Sequence, residues 1–192
     1  MIDTTWLMKL KEGDERTFRE FVNQHRNHVF NTALGLLQDT ENAEDVTQEV
    51  FVEVFRSVAR FKEECSILTW IYRITVSKSL ELIRRRNRKK RTGILFSLFG
   101  NEDYLMVTNT SSFYHPGIKL ENKERAVILF QAIEKLPVNQ RTAFTLHKLE
   151  NLSYAELAEV MGISVSSVES LMFRAKQNLR KLLGNYYDQN EK

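Results

Sequence analysis

One cysteine, Cys65, and four scattered histidines in 192 residues leave no material for a disulfide framework or a zinc cluster. Cys65 reads as a buried or idle thiol, with a redox sensor as the alternative. With only two prolines and seven glycines the chain has few enforced breaks, strand signals are nearly absent, and apolar residues recur every three to four positions, so an all-α protein is expected. No apolar run approaches the roughly 20 residues that span a bilayer, and Met1 to Lys11 lacks the apolar core of a secretory leader. Neither membrane insertion nor export is expected, and the cytoplasm is the expected compartment. Also missing are paired carboxylates at metal spacing, a phosphate-cradling glycine loop and a Cys/His nucleophile arrangement. Glu44, Asp45 and Glu49 have no histidine or glycine-rich loop beside them. The competing reading of an enzyme acting on nucleic acid is therefore not favoured, and no small-molecule substrate, metal or cofactor is expected.

What is present is charge, unevenly placed. The formal net charge is only +3, yet Asn27 to Phe55 contains no Lys or Arg while carrying Asp39, Glu41, Glu44, Asp45, Glu49 and Glu53. From Arg84 to Arg91 every position but Asn87 is cationic. Such asymmetry suggests two partner surfaces, one basic and one polyanionic, against the alternative that each run is a solvated helix face.

Phe18, Phe21, Val22, Val29, Ala33 and Leu37 keep a helical period, as do Ala43, Val46, Val50, Val54 and Val58. The two helices meet around Gln38 to Asn42. A polar break, Lys62 to Ser66, precedes a third helix near Leu68 that offers Trp70, Ile71, Ile74, Leu80 and Ile83 to a core and runs out into the basic tract. Between Thr92 and Asn122 the pattern dissolves around Gly93, Gly100, Pro116 and Gly117, which reads as a linker. Its apolar stretch, Ile94 to Phe99, either docks on a domain or meets a partner. Periodicity returns at Glu124, and Val138 to Lys148 reads as a further helix.

The most specific local signal follows. Ser153 and Glu156 fit a capping box that starts a helix at Tyr154. Leu157, Ala158 and Met161 supply its buried face, Gly162 suits a left-handed turn, and Ile163 plugs that turn. Ser164 can cap a second helix whose inward stripe is expected at Val165, Val168 and Leu171. A small Ala158 at the crossing, a permissive Gly162 and the following Arg174, Lys176, Arg180 and Lys181 point to a DNA-binding helix-turn-helix rather than a bland helical hairpin. Ser166, Ser167, Glu169, Ser170, Phe173 and Arg174 then face the major groove. Arg174 suits guanine or phosphate, Glu169 can accept from cytosine, and Phe173 can pack on a thymine methyl.

Taken together, these segments resemble the extracytoplasmic-function sigma factors of the sigma-70 family, the promoter-reading subunits of bacterial RNA polymerase. The carriers are the run Ala43 to Phe51, Thr69 to Ile74 leading into Arg84-Arg85-Arg86, and Leu136-Pro137 with Leu152-Ser153-Tyr154, Gly162-Ile163-Ser164 and Phe173 to Lys176. The resemblance implies a region 2 domain over 1–91, a linker over 92–122 and a region 4 helix-turn-helix domain over 123–192. It implies that Asp45, Gln48, Glu49, Phe51 and Glu53 dock the clamp of the largest subunit of core RNA polymerase. A carboxylate-rich helix fits a basic protein surface and repels DNA. Minus-ten contacts map onto Phe61, Lys62, Ser66, Tyr72, Arg73, Ser77, Arg84, Arg85 and Arg86, where aromatics can stack on unpaired bases and cations can grip phosphates. Core packing is the alternative for Phe61 and Tyr72, and for Trp70 it is preferred. Minus-thirty-five contacts map onto His147, Lys148, Ser164, Ser166, Ser167, Glu169, Ser170, Phe173, Arg174 and Lys176.

This chain departs from the family pattern at Ser77, where asparagine is common, and at Glu169 and Leu171, where cations are. The preferred promoter sequence is accordingly open. Residues 92–122 reach at most roughly 100 Å when extended, enough for promoter elements nearly two duplex turns apart at about 34 Å per turn. A regulator that binds operators alone is the competing reading, but it has no use for an acidic docking helix followed directly by an aromatic and basic one. The resemblance also implies an anti-sigma factor that clamps both domains and covers their DNA-binding surfaces. The alternative is that the two domains pack on each other.

Overall fold

The computed structural model describes the backbone of residues 4–99 and 123–190 and the side chains of 5–88 and 127–184. Among the described residues there are eight α-helices and no strand: α1 (Thr4–Lys11), α2 (Glu15–Leu37), α3 (Thr40–Ser57), α4 (Ile67–Phe99), α5 (Lys123–Glu134), α6 (Val138–Leu149), α7 (Tyr154–Met161) and α8 (Val165–Asn190). No helix among them is long and apolar enough to cross a membrane.

Short polar side chains set the breaks. Asp14 Oδ1 accepts from the Thr17 backbone N–H at 2.8 Å and starts α2. Gln38 ends that helix in the left-handed region at φ 55°, and Asp39 at once caps α3 by accepting from the Asn42 N–H at 2.9 Å. The α2–α3 corner is therefore two residues long. Ser66 Oγ accepts from the Thr69 N–H at 3.0 Å and starts α4.

Phe21, Val29 and Ala33 of α2, Val46, Val50 and Val54 of α3, and Ile67 and Ile71 of α4 close the first core. α1, which carries no strong periodic signal, adds Leu10 to it and sets Trp6 against Phe21 with centroids 5.9 Å apart. α4 does not stop at Arg91: its backbone stays helical through Phe99, so the expected linker begins inside a helix. Arg, Lys and Leu are good helix formers, and the one Gly93 costs about 1 kcal/mol. The docking or exposure of Ile94 to Phe99, and the path of 100–122, lie outside the described residues.

In the second unit Phe130, Ile133 and Leu136 pack on Ala175 and Leu179 of α8. The two units are in direct contact. Leu36, Tyr72 and Val76 from the first share one buried apolar cluster with Ala143, Leu146, Leu157 and Met172 from the second. Leu146 and Leu157 are fully buried, each contributing about 1.5–3 kcal/mol relative to exposure. α2 and α6 cross closely at Gly35, where an added Cβ would fall 2.4 Å from Thr145 Cγ2. Arg141 crosses the same seam, donating from Nη1 to the Leu36 carbonyl at 2.8 Å.

Candidate functional site

The acidic helix α3 turns one face inward and leaves the other to solvent. Asp45, Gln48 and Glu49 are exposed and Glu53 is half-buried. Lys78 of α4 reaches Glu49 at 4.0 Å and Glu53 at 3.9 Å, holding α4 against this face without neutralising Asp45. Phe51 was expected on the docking face and is not there. It is buried in the first core, its ring edge-on to Phe21 at 6.3 Å, because its position on the wheel adjoins Val50 and Val54. The apolar component of the exposed face comes instead from Val52 and from Phe55, which is 53% exposed and rests edge-on against Phe18 at 5.0 Å. Sequence reasoning missed both, although positions 45, 48, 49, 52 and 55 share one helical side.

The minus-ten set divides into open and occupied residues. Lys62, Ser66, Ser77, Arg84 and Arg85 are exposed, and Arg73, Ser77 and Arg84 follow one another along one side of α4. Phe61 is buried, tilted against Trp70 with centroids 4.9 Å apart, so of the two readings its packing role is the one the fold supports. Arg86 pairs with the capping carboxylate of Asp39 at 3.7 Å. Tyr72 is 2% exposed; its ring lies in the seam between the units, and its hydroxyl donates to Glu150 Oε2 at 2.8 Å. Burial first, and the adjacent carboxylate second, push the phenol well above its ordinary pKa. In this arrangement neither aromatic ring presents a face to a base. Arg73 is occupied too: Nε and Nη2 donate to the Glu159 carbonyl at 3.1 and 2.9 Å, capping the C-terminal end of α7 where helix carbonyls lack partners.

The helix-turn-helix forms from the local chemistry described above. Glu156 N–H donates to Ser153 Oγ at 3.3 Å and Ser153 N–H to Glu156 Oε2 at 2.8 Å, and the Ser153 hydroxyl leads the contacts that hold the Glu156 carboxyl below its ordinary pKa. Gly162 takes φ 65° and Ser164 caps α8 by accepting from the Ser167 N–H at 3.2 Å. The inward stripe differs from expectation. It is Val168, Met172, Ala175 and Leu179, all buried, with Val165 at 44% exposure and Leu171 on the flank. The four-three-four spacing of the buried set leaves 165 and 171 to either side of it.

Ser164, Ser166, Ser167, Glu169, Ser170, Phe173, Arg174 and Lys176 are exposed, and Phe173 is 63% exposed. An open groove of about 430 Å³ runs from Asn139 across Met161 and Ile163 to Ser170 and Arg174. Lys148 is exposed and His147 is half-buried. Its Nδ1 lies 2.8 Å from the Leu152 carbonyl and its ring leans on Tyr154, so it ties the α6–α7 turn together.

Sequence reasoning missed Glu150 altogether. Its side chain is 2% exposed, and its Oε2 accepts from Tyr72 and, at 2.7 Å, from His28 Nδ1. One carboxylate thus ties α2 and α4 of the first unit to the α6–α7 turn of the second. Among the described residues no group of three or more His, Cys, Asp or Glu side chains is placed to hold a metal ion.

Comparison with known proteins accords with this geometry. Residues 21–89 match the family profile "Sigma-70 region 2" and 126–179 match "Sigma-70, region 4". The RNA polymerase sigma-H factor of Pseudomonas aeruginosa is 28% identical, the match covering 94% of this chain and 93% of that one. The ECF RNA polymerase sigma-E factor of Haemophilus influenzae is 30% identical over 92% of this chain and 93% of its own. Among solved structures, CnrH in complex with the cytosolic domain of CnrY superposes with a TM-score of 0.68 at 20% identity, covering 94% and 96% of the two chains.

Proposed function

The chain belongs to the extracytoplasmic-function branch of the sigma-70 family and is a sigma factor for DNA-templated transcription initiation, and we propose the following division of labour among its surfaces. The unit spanning 1–91 docks core RNA polymerase and opens the minus-ten element, the unit spanning 123–192 reads the minus-thirty-five element, and the segment between them spans the promoter spacer in the cytoplasm.

The observation that carries this reading is the coexistence, on one chain, of an uncovered carboxylate face and an uncovered recognition helix. Asp45, Gln48, Glu49 and Glu53 offer a basic clamp surface a row of acceptors, which steers association more than it adds raw affinity. Val52 and Phe55 supply the apolar contact beside them. On the other unit, Phe173 and Arg174 are placed for base edges and Ser164, Ser166, Ser167 and Lys176 for phosphates. Minus-ten contact falls to Lys62, Ser66, Ser77, Arg84 and Arg85, joined by Tyr72 and Arg73 when the seam opens. An anti-sigma factor, as NepR is for the sigma factor RpoE of Bartonella quintana, would silence the protein by covering α3 and α8, two surfaces that the chain itself leaves bare.

Co-purification tests the reading. The chain mixed with core RNA polymerase should elute with it as a stoichiometric complex at physiological salt. A chain that elutes alone while still binding duplex DNA would instead favour a self-sufficient operator-binding regulator.

A further inference from the structure

The loop from Phe61 to Ser66 is fixed at both ends. The Phe61 N–H donates to the Val58 carbonyl at 3.0 Å, the Phe61 ring leans on Trp70 at 4.9 Å, and Ser66 caps α4. Between these ends, residues 62–65 make no backbone–backbone hydrogen bond among the described residues. Glu63 nonetheless holds the left-handed region at φ 62°, which a residue with a side chain leaves unless its surroundings keep it there. The holding group comes from α1. Lys11 Nζ pairs with Glu63 Oε1 and sits 5.8 Å from the centroid of the Phe61 ring, so one ammonium grips both the middle of the loop and its anchored start. Lys11 is itself well placed. Its neighbour Leu10 is fully buried, and the Gly13 and Asp14 N–H groups close the end of α1 on the Leu10 and Lys9 carbonyls at 3.2 and 3.1 Å.

Lys62 and Ser66 belong to the minus-ten set, yet Glu63 and Glu64 stand exposed between them, and carboxylates repel a polyanionic strand. We propose that Lys11 is a positioning residue for strand contact: its ammonium neutralises Glu63, ties that carboxylate to α1, and holds the loop in the conformation in which Lys62 and Ser66 meet the unpaired strand. α1 is then a working part of the site as well as a share of the core. An exposed ion pair and a cation–π contact each bias an equilibrium only a few fold. That is too little to change global stability much, and enough to set the population of one short loop. The proposal rests on the minus-ten reading of Lys62 and Ser66, but the strap itself is measurable without DNA.

The test uses the full chain as wild type, Lys11→Met, Lys11→Arg and Lys62→Ala. Methionine keeps an apolar stem over Phe61 and removes the charge; arginine keeps the charge and engages carboxylate and ring alike. The chain's single thiol, half-buried Cys65, lies in the loop, so its rate of reaction with dithiobis-nitrobenzoate in the free chain reads loop opening. Holoenzyme formed with core RNA polymerase is then titrated into a fluorescein-labelled pool of bubble duplexes whose unpaired stretch has random sequence. Anisotropy reads strand binding, and sequencing of the bound fraction reads base preference. Lys11→Met should label about fivefold faster and bind the pool about fivefold more weakly, with a flattened base preference, because both readouts follow the population of the held loop. Lys11→Arg should match the wild type in both, and the urea midpoint should be the same in all three. A wild-type labelling rate in Lys11→Met, or faster labelling with strand binding and base preference intact, would overturn the proposal. Weaker binding by Lys62→Ala beside full binding by Lys11→Met would refute the strap's role alone. Full binding by both would refute the minus-ten assignment of the loop, and the strap's role with it.

Discussion

Acid should loosen this fold through His25. The imidazole is 8% exposed, lies with its centroid 4.8 Å from that of Phe21, and keeps a buried Nδ1 with no hydrogen-bond partner in the protein. Burial, and to a lesser degree the neighbouring His28, pull its pKa from 6.5 down to about 4. The unfolded chain therefore takes up a proton that the folded chain refuses, and throughout the interval between those values the unfolded state binds more protons. Stability contributed by the neutral ring is intact above about pH 6.5 and declines as the pH falls toward about 4. At 1.36 kcal/mol per unit the whole interval corresponds to about 3 kcal/mol, and the two titration curves place about 2 kcal/mol of it above pH 5. Urea unfolding followed by circular dichroism at pH 8 and pH 5 measures this directly. The wild type should lose about 2 kcal/mol more than His25→Met over that step, since methionine fills the same apolar site without a proton to accept. Equal losses in the two proteins would refute the reasoning, and would place the acid sensitivity among the carboxylates instead.

Reversing charge at Asp45 and Glu49 together should abolish core-polymerase binding in a gel-filtration assay. Unfolding stability should shift by less than about 1 kcal/mol, as befits exposed carboxylates. Arg174→Ala should weaken minus-thirty-five binding by roughly 1–3 kcal/mol if the guanidinium reads a base. If it grips phosphate, a salt titration on matched and mismatched duplexes will show a uniform loss and a shallower salt slope. Gly162→Val should destabilise the chain by about 1–2 kcal/mol in a denaturant melt, because at φ 65° the cost is conformational even though nothing lies within 4 Å of the added Cβ.

Local chemistry was legible in the sequence wherever one residue decides one backbone step. Ser153, Glu156 and Gly162 announce the α7 boundaries because a capping box and a left-handed turn each admit few residue types. Asp14 and Asp39 set the starts of α2 and α3 in the same way, although the reading of the sequence did not single them out as caps. Which face of a helix meets which neighbour was less legible. Phe51 looked like part of a docking face because it lies only two residues from Glu49 in sequence, yet two steps of about 100° along the helix turn it inward. That the His147 ring also meets a carbonyl five residues on was not legible either.

The seam between the units was hardly legible, since the partners in its hydrogen bonds and ion pairs stand tens of residues to more than a hundred apart. One trace of it existed. A glycine at position 35 inside the apolar run Ala33 to Leu37 costs about 1 kcal/mol of helix propensity, and such a residue in mid-helix often marks a close approach. Glu150, a lone carboxylate in a connecting turn, carried no signal at all.

Run-off transcription on fragmented bacterial genomic DNA, with core polymerase plus this chain and the start points sequenced, bears most directly on the role assigned here. Starts absent from reactions with core enzyme alone should appear, each preceded by two recurrent sequence blocks nearly two duplex turns apart, and charge reversal at Asp45 and Glu49 should eliminate them. The same starts with and without the chain, or new starts that survive the charge reversal, would contradict it.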